Sequence, residues 1–361
     1  MAIHPIHLSL KPDFADAVKR WDAFHAKSML DRPIICVTSP KRGCEDNYVN
    51  PPGSTYYERV HQNFDYIIDR AILTASRAYY GGEAIPVFIT DFSPDEIALF
   101  LNAELAFSKD SGDTSWSVPF VMDWKDVLPL QIDETNVYWQ RMVALYQRAA
   151  ERLSGQMLIA PLDLHTNMDL LSAIRSPQKL CIDLIEQPDL IDLAMADARK
   201  IFHKIWNTIS ETGRMRENGY CQLVYAMEGA AMLQCDFSYM ISPKMFDQWV
   251  LPALEEEAQI VKHPFYHWDG PGALSHFTSL MNTPYIDVFS YVPGEGVGPS
   301  IKRLDVLKRI QEAGKAVHAW GTADELKFMH NELKPDRVIY TTSVSTQSQA
   351  EELLEWFTNN T

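Results

Sequence analysis

Residues 265–272 read FYHWDGPG, a short apolar run that ends in His267 and Asp269 and is followed at once by Gly270, Pro271 and Gly272. Successive side chains of a strand alternate faces, so His267 and Asp269 project to the same side. The two glycines let the backbone turn tightly and bring a helix start close to whatever the pair holds. A polar pair at the C-terminal end of a strand belongs to an active site when that strand is part of a parallel barrel. The competing reading is a buried histidine satisfied by a neighbouring carboxylate.

Working outward, short apolar or β-branched runs alternate with helical patterns almost from end to end. The candidate strands are Pro33–Val37, Ile85–Thr90, Met157–Leu162, Gln222–Ala226, Phe265–His267, Ile286–Tyr291, Ala316–Trp320 and Arg337–Thr341. Each is followed by a helix candidate. Thr55-x-x-Glu58, Thr322-x-x-Glu325 and Ser348-x-x-Glu351 have capping-box spacing. Ser93-Pro94, Ser176-Pro177 and Ser242-Pro243 set a cap residue before a proline suited to a first helical turn. Eight strand–helix units predict an α/β fold that is a single (β/α)₈ TIM barrel over 1–361, with an N-terminal extension over about 1–30 and an insertion over about 101–124. An open doubly wound sheet is the alternative, but no GxGxxG follows the first strand and no GxxxxGK[ST] occurs.

Bulk properties exclude several classes. The 361 residues carry a formal net charge of -16, which disfavours nucleic acid and anionic membrane surfaces. No apolar run approaches the roughly 20 residues of a membrane span. The opening MAIHPIHLSLKPDF lacks the basic start and apolar core of a secretory signal. The five cysteines form no CxxC pair, so free thiols in a reducing cytoplasm are expected.

On a barrel, function sits just past each strand's C-terminal end. That rule selects Asp91 after strand two, Asp163 and His165 after strand three, and Glu228, Cys235 and Asp236 after strand four. It also selects His267 and Asp269 after strand five, Tyr291 and Glu295 after strand six, and Thr341 to Ser343 after strand eight. Trp116 and Trp268 are aromatic candidates for substrate contact. Lys41 and Arg42 are the evident cations. The set suits a divalent metal or general acid–base chemistry, and a polyanionic substrate poorly.

Several stretches resemble the uroporphyrinogen decarboxylase superfamily. They are RPII at 32–35, Asp113 to Trp116, QCDFSYMISPKMFDQWVLP at 234–252, YHWDGPGA at 266–273, and the closing helix after Thr346. Together they span nearly the whole chain. The resemblance implies a single (β/α)₈ barrel and is greatest to the decarboxylase-like and corrinoid-methyltransferase-like branch. The decarboxylases carry an arginine-rich PxWxMRQAGRY segment, whereas this chain reads RPIICVTSPKRGCEDNY there. Several methyltransferases of the superfamily hold Zn²⁺ with His-x-Cys and a distant cysteine near the last strand. Here His267-x-Asp269 stands at the first position and Thr342 or Val344 near the second. The resemblance therefore implies zinc held by His267 with some of Asp269, Cys235 and Glu228. It also implies a corrinoid carried by a partner protein, a small-molecule substrate, and a homodimer. Asp91, Asp163 or His165 would donate a proton, with Asp236 and Tyr291 as further catalytic candidates. The alternatives are a metal-free carboxy-lyase acting on a small acid and a non-catalytic binding protein.

Overall fold

The computed structural model describes residues 7–48, 54–108, 114–292, 294 and 298–361. Glu295 and Asp113 lie outside these. The strands are β1 (Ile34–Pro40), β2 (Ala78–Gly82), β3 (Val87–Phe88), β4 (Glu104–Phe107), β5 (Ser115–Val118), β6 (Leu158–Ile159), β7 (Tyr220–Cys221), β8 (Tyr225–Ala226), β9 (Ala230–Gln234), β10 (His263–Asp269), β11 (Val288–Val292), β12 (Ala316–Trp320) and β13 (Val338–Ser343). Seven form one sheet in the order β2-β1-β13-β12-β11-β10-β9. All of its pairings are parallel except β1 with β2. A parallel pair, β3 with β6, stands separately. The parallel partnerships thus involve eight strands, and each is followed by at least one helix before the next.

Seven of the eight expected strands coincide with or overlap these. The fourth does not: Gln222–Ala226 belongs to an antiparallel turn of β7 on β8, and the parallel strand is β9, eight residues further on. Gln222 ended up as a side-chain partner instead, its Oε1 accepting the Met232 N–H at 2.8 Å. Strand β2, which was not among the expected strands, pairs antiparallel with β1. Gly82 allows this, because it lies at φ +61 with the Ile35 carbonyl oxygen 2.2 Å from where a Cβ would stand.

Long amphipathic helices cover the sheet. Val137–Leu153 buries Trp139, Met142, Leu145, Tyr146, Ala149 and Leu153, the spacing of one apolar stripe. Pro188–Thr212 does the same with Ile191, Ala198, Phe202, Ile205 and Ile209. The capping boxes at Thr55 with Glu58 and at Thr322 with Glu325 are formed. The last helix is capped two residues earlier than expected, by Thr346 with Gln349 instead of Ser348 with Glu351. The expected insertion holds the β4–β5 hairpin. No helix among the described residues is long and apolar enough to cross a membrane.

One buried ion pair fastens the start of β1. Glu83, 1% exposed, accepts two bonds from Arg32 at 2.6 and 3.0 Å and one from the Ile35 N–H at 2.9 Å. Both carboxylate oxygens are thereby occupied, the condition for a charge to stay ionised out of water.

Candidate functional site

The parallel registers set one polar row across the sheet. Gln234 on β9 lies beside His267 on β10, and His267 beside Ser290 on β11. The Ser290 hydroxyl meets His318 Nδ1 on β12 at 2.9 Å, and His318 Nε2 meets the Thr341 hydroxyl on β13 at 2.7 Å. One step further along β10, Asp269 lies beside Val292 on the same face.

Asp236 joins this row from a different element. It opens the 3₁₀ turn Asp236–Met240 directly after β9. Asp169 fixes that turn by accepting the Asp236 and Phe237 N–H groups at 3.0 and 2.8 Å. His276 fixes its far end through the Ser238 carbonyl at 2.8 Å. The expected helix start follows β10 as the 3₁₀ turn Pro271–His276, with Gly270 at its N-cap. Gly270 and Gly272 also leave room for the Tyr239 ring, which would lie 2.9 and 2.6 Å from a Cβ at these positions. That close approach draws the Asp236–Met240 turn onto the end of β10. As a result one donor atom from each of Asp236, His267 and Asp269 lies within 4.8 Å of the others, the one such trio of His, Cys, Asp or Glu among the described residues.

The electrostatics suit a cation. Burial and the neighbouring Asp169 push Asp236 up to about 7. Burial lowers His267, leaving a neutral ring with a free lone pair. Asp236 Oδ1 and Asp269 Oδ1 are buried without a hydrogen-bond partner, an exception to the usual pairing of buried polar groups. Burial, reinforced by His267, lowers His318 to about 3, so it stays neutral between its two hydroxyls.

A second group adjoins the trio. Asp163 lies against His165 at 3.4 Å, and His165 against Asp169 at 3.6 Å. Burial opposes a charge on His165, but the two carboxylates outweigh it and raise the imidazole well above its ordinary value. Burial likewise works against the Asp163 anion, yet His165, the Gln234 amide and His267 bring that carboxyl below its usual range. Asp91 accepts the Asp163 N–H at 2.8 Å, and burial with the Asp163 charge pushes it up to about 6. The pair therefore divides its protons, Asp163 ionised and Asp91 the weaker acid.

The remaining expected residues lie elsewhere. Glu228 precedes β9 instead of following the fourth strand, so it sits at the opposite end with His25 and His263. Cys235 is buried beside the turn and outside the trio, and burial raises its thiol well above the ordinary range. Trp268 alternates away from His267 and packs against Phe277, Phe289 and Tyr291, its indole N–H bonded to the Ala273 carbonyl at 3.0 Å. Tyr291 shares that outward packing layer. Trp116 is 41% exposed on the β4–β5 hairpin. Arg42 reaches Glu351 at the surface. Asp169, Ser290 and His318 were not anticipated. His318 and Ser290 lie inside predicted strands, where alternation alone gives them a face but no partner.

Two spaces lie near this row, and only the smaller is lined by a residue of the trio. A side opening of about 390 Å³ is lined by Asp236, His165, Asp169, Ser117 and Met240. A larger cavity of about 1010 Å³ is walled by Cys36 and Thr38 of β1, Tyr80, Val292, Trp320 and Thr341 among others. Val292 and Thr341 connect that wall to Asp269 and His318 respectively.

No protein-family model matches the chain, and no curated protein matches it. Among solved structures, the fold is similar to that of a methyltransferase from Methanosarcina mazei. The TM-score is 0.59 at 12% identity, with 98% of this chain and 99% of the other covered.

Proposed function

We propose that this chain is a metal-assisted methyltransferase of the uroporphyrinogen decarboxylase superfamily. On this reading it is a closed (β/α)₈ barrel that moves a methyl group between a small methylated substrate and a corrinoid protein or a thiol. The observation that carries the proposal is the Asp236–His267–Asp269 trio, with its two orphaned carboxylate oxygens. The likeness in fold to a protein described as a methyltransferase supports it. So does the sequence resemblance at 234–252 and 266–273.

The residues fit zinc, which takes imidazole and carboxylate donors. Asp236, His267 and Asp269 would hold it. When bound, zinc stabilises negative charge on the heteroatom that loses its methyl. Two carboxylates and one imidazole make a harder donor set than thiolates, favouring an oxygen or nitrogen leaving group. The methyl passes to the lone pair of the acceptor's nucleophile, and the electrons of the broken bond stay with the heteroatom. His165, kept protonated by Asp163 and Asp169, supplies the proton that this heteroatom takes up. Asp91 stands behind as the proton reserve of the Asp163 pair.

The test is metal analysis of the purified protein. About one zinc per chain is expected, lost in His267→Ala and in Asp269→Asn. Stoichiometric zinc retained by His267→Ala, or full turnover in metal-stripped protein, overturns the proposal.

A further inference from the structure

The segment between Asp163 and Asp169 is tightly wound. The His165 N–H bonds the Asp163 carbonyl at 3.0 Å and the Thr166 N–H bonds the Leu164 carbonyl at 2.9 Å, two successive three-residue turns. Asn167 then takes φ +47, the left-handed conformation that few residues other than glycine adopt and that asparagine tolerates. It is fully buried and opens the helix Asn167–Arg175. The residue before it makes no side-chain cap: the Thr166 hydroxyl goes to Glu257 at 2.7 Å instead.

The left-handed turn gives the Asn167 side chain its direction. Its Nδ2 donates to the Gln234 carbonyl at 3.1 Å, its Oδ1 accepts the Met168 N–H at 2.6 Å, and the amide also lies beside Glu257. Gln234 is the last residue of β9, two before Asp236. Asp169, in the same first helical turn as Asn167, accepts the Asp236 and Phe237 N–H groups at 3.0 and 2.8 Å. Gln234 returns its own amide to Asp163 Oδ1 at 2.5 Å. The end of β9 is thus held at a carbonyl by Asn167 and at the following N–H groups by Asp169. The loop that carries Asp163 and His165 and the turn that carries Asp236 are fastened into one body.

Resting on the metal reading for what Asp236 holds, we infer that Asn167 is a positioning residue. Its left-handed backbone and its amide fix the placement of the proton donor His165 relative to the Asp236 arm of the trio. It acts through the Gln234 carbonyl and through the direction in which it launches Asp169.

Two substitutions separate the backbone from the amide. Asn167→Gly keeps the left-handed conformation and deletes the amide, whereas Asn167→Ala deletes the amide and opposes the conformation as well. Thr166→Val loses the bond to Glu257 without touching residues 234–237 and is the control for lost stability. The first readout is hydrogen exchange by mass spectrometry on metal-free protein. Exchange over residues 235–240 should rise about tenfold in Asn167→Gly, the worth of one hydrogen bond, and further in Asn167→Ala, while Thr166→Val keeps the parent rate there. The second readout is zinc affinity of the folded proteins, by competition with a chromophoric chelator. It should fall about 10–100-fold in both Asn167 variants, the range for a residue that orients a metal ligand, and stay unchanged in Thr166→Val. Should Asn167→Ala fail to fold, Asn167→Gly, unstrained at this φ, decides. Parent-like exchange over 235–240 in Asn167→Gly overturns the inference, and so does parent-like zinc affinity there. An equal rise of exchange in Thr166→Val marks general loosening and overturns it too. A parent protein that takes up no zinc removes the metal reading alone, and the exchange result then decides this one.

Discussion

Replacing Glu257 by glutamine should stabilise this protein, and more so as pH rises. Glu257 is 1% exposed. One of its oxygens accepts the Thr166 hydroxyl at 2.7 Å, and the other is buried with no partner. Burial raises its carboxyl from 4.5 to about 8. The sign follows from which state holds the proton. At pH 7 the unfolded chain has lost the proton and the folded chain keeps it, so a folded-state pKa above the unfolded value costs stability as pH rises. The penalty is small near pH 5, grows through pH 8, and is roughly 3 kcal/mol at pH 7, taking about 1.4 kcal/mol per unit of pKa difference. Glutamine is close in shape, keeps an acceptor for Thr166, and has no charge to bury. Urea unfolding of both proteins at pH 5.5 and pH 8 measures the effect. Glu257→Gln should gain roughly 2 kcal/mol or more on the parent between the two conditions. A stability difference independent of pH would refute the reasoning, because it would mean that Glu257 is ionised in the folded protein across the whole range.

Two further outcomes are expected. Arg32→Met removes the hydrogen-bonded cation of buried Glu83, leaving only Arg20 at 3.7 Å, and should cost about 3 kcal/mol in denaturant unfolding, most of which Arg32→Met with Glu83→Gln recovers. His318, neutral down to about pH 3 between Ser290 and Thr341, should show no imidazole titration by nitrogen-15 NMR between pH 5 and 8. A midpoint inside that window would show that it gains a proton and would disturb the neutral row beside His267.

The alternation of apolar runs with helical stretches was enough to place seven of eight parallel strands, because a strand buried on both faces needs a continuous apolar run. The fourth escaped because Gln222–Ala226 and Ala230–Gln234 are equally apolar, and sequence alone does not say which is paired. That displacement moved Glu228 from one end of the strands to the other. His267 and Asp269 were legible as a pair from period-two alternation, and the same alternation should have turned Trp268 away. Asp236 was legible as a residue after a strand, whereas its approach to His267 depends on Tyr239 packing over two glycines, a contact between segments about thirty residues apart. Asp169 gave no signal, since it lies within a helix and acts only through N–H groups of a distant turn.

Asp236, His267 and Asp269 arise from β10 and the turn after β9, while the wall of the large cavity arises from β1, β12, β13 and the loops beside them. The two sets share no described residue, so a substitution at Thr38, Trp320 or Ser343 alters the cavity wall while leaving the carboxylate–imidazole corner as it stands.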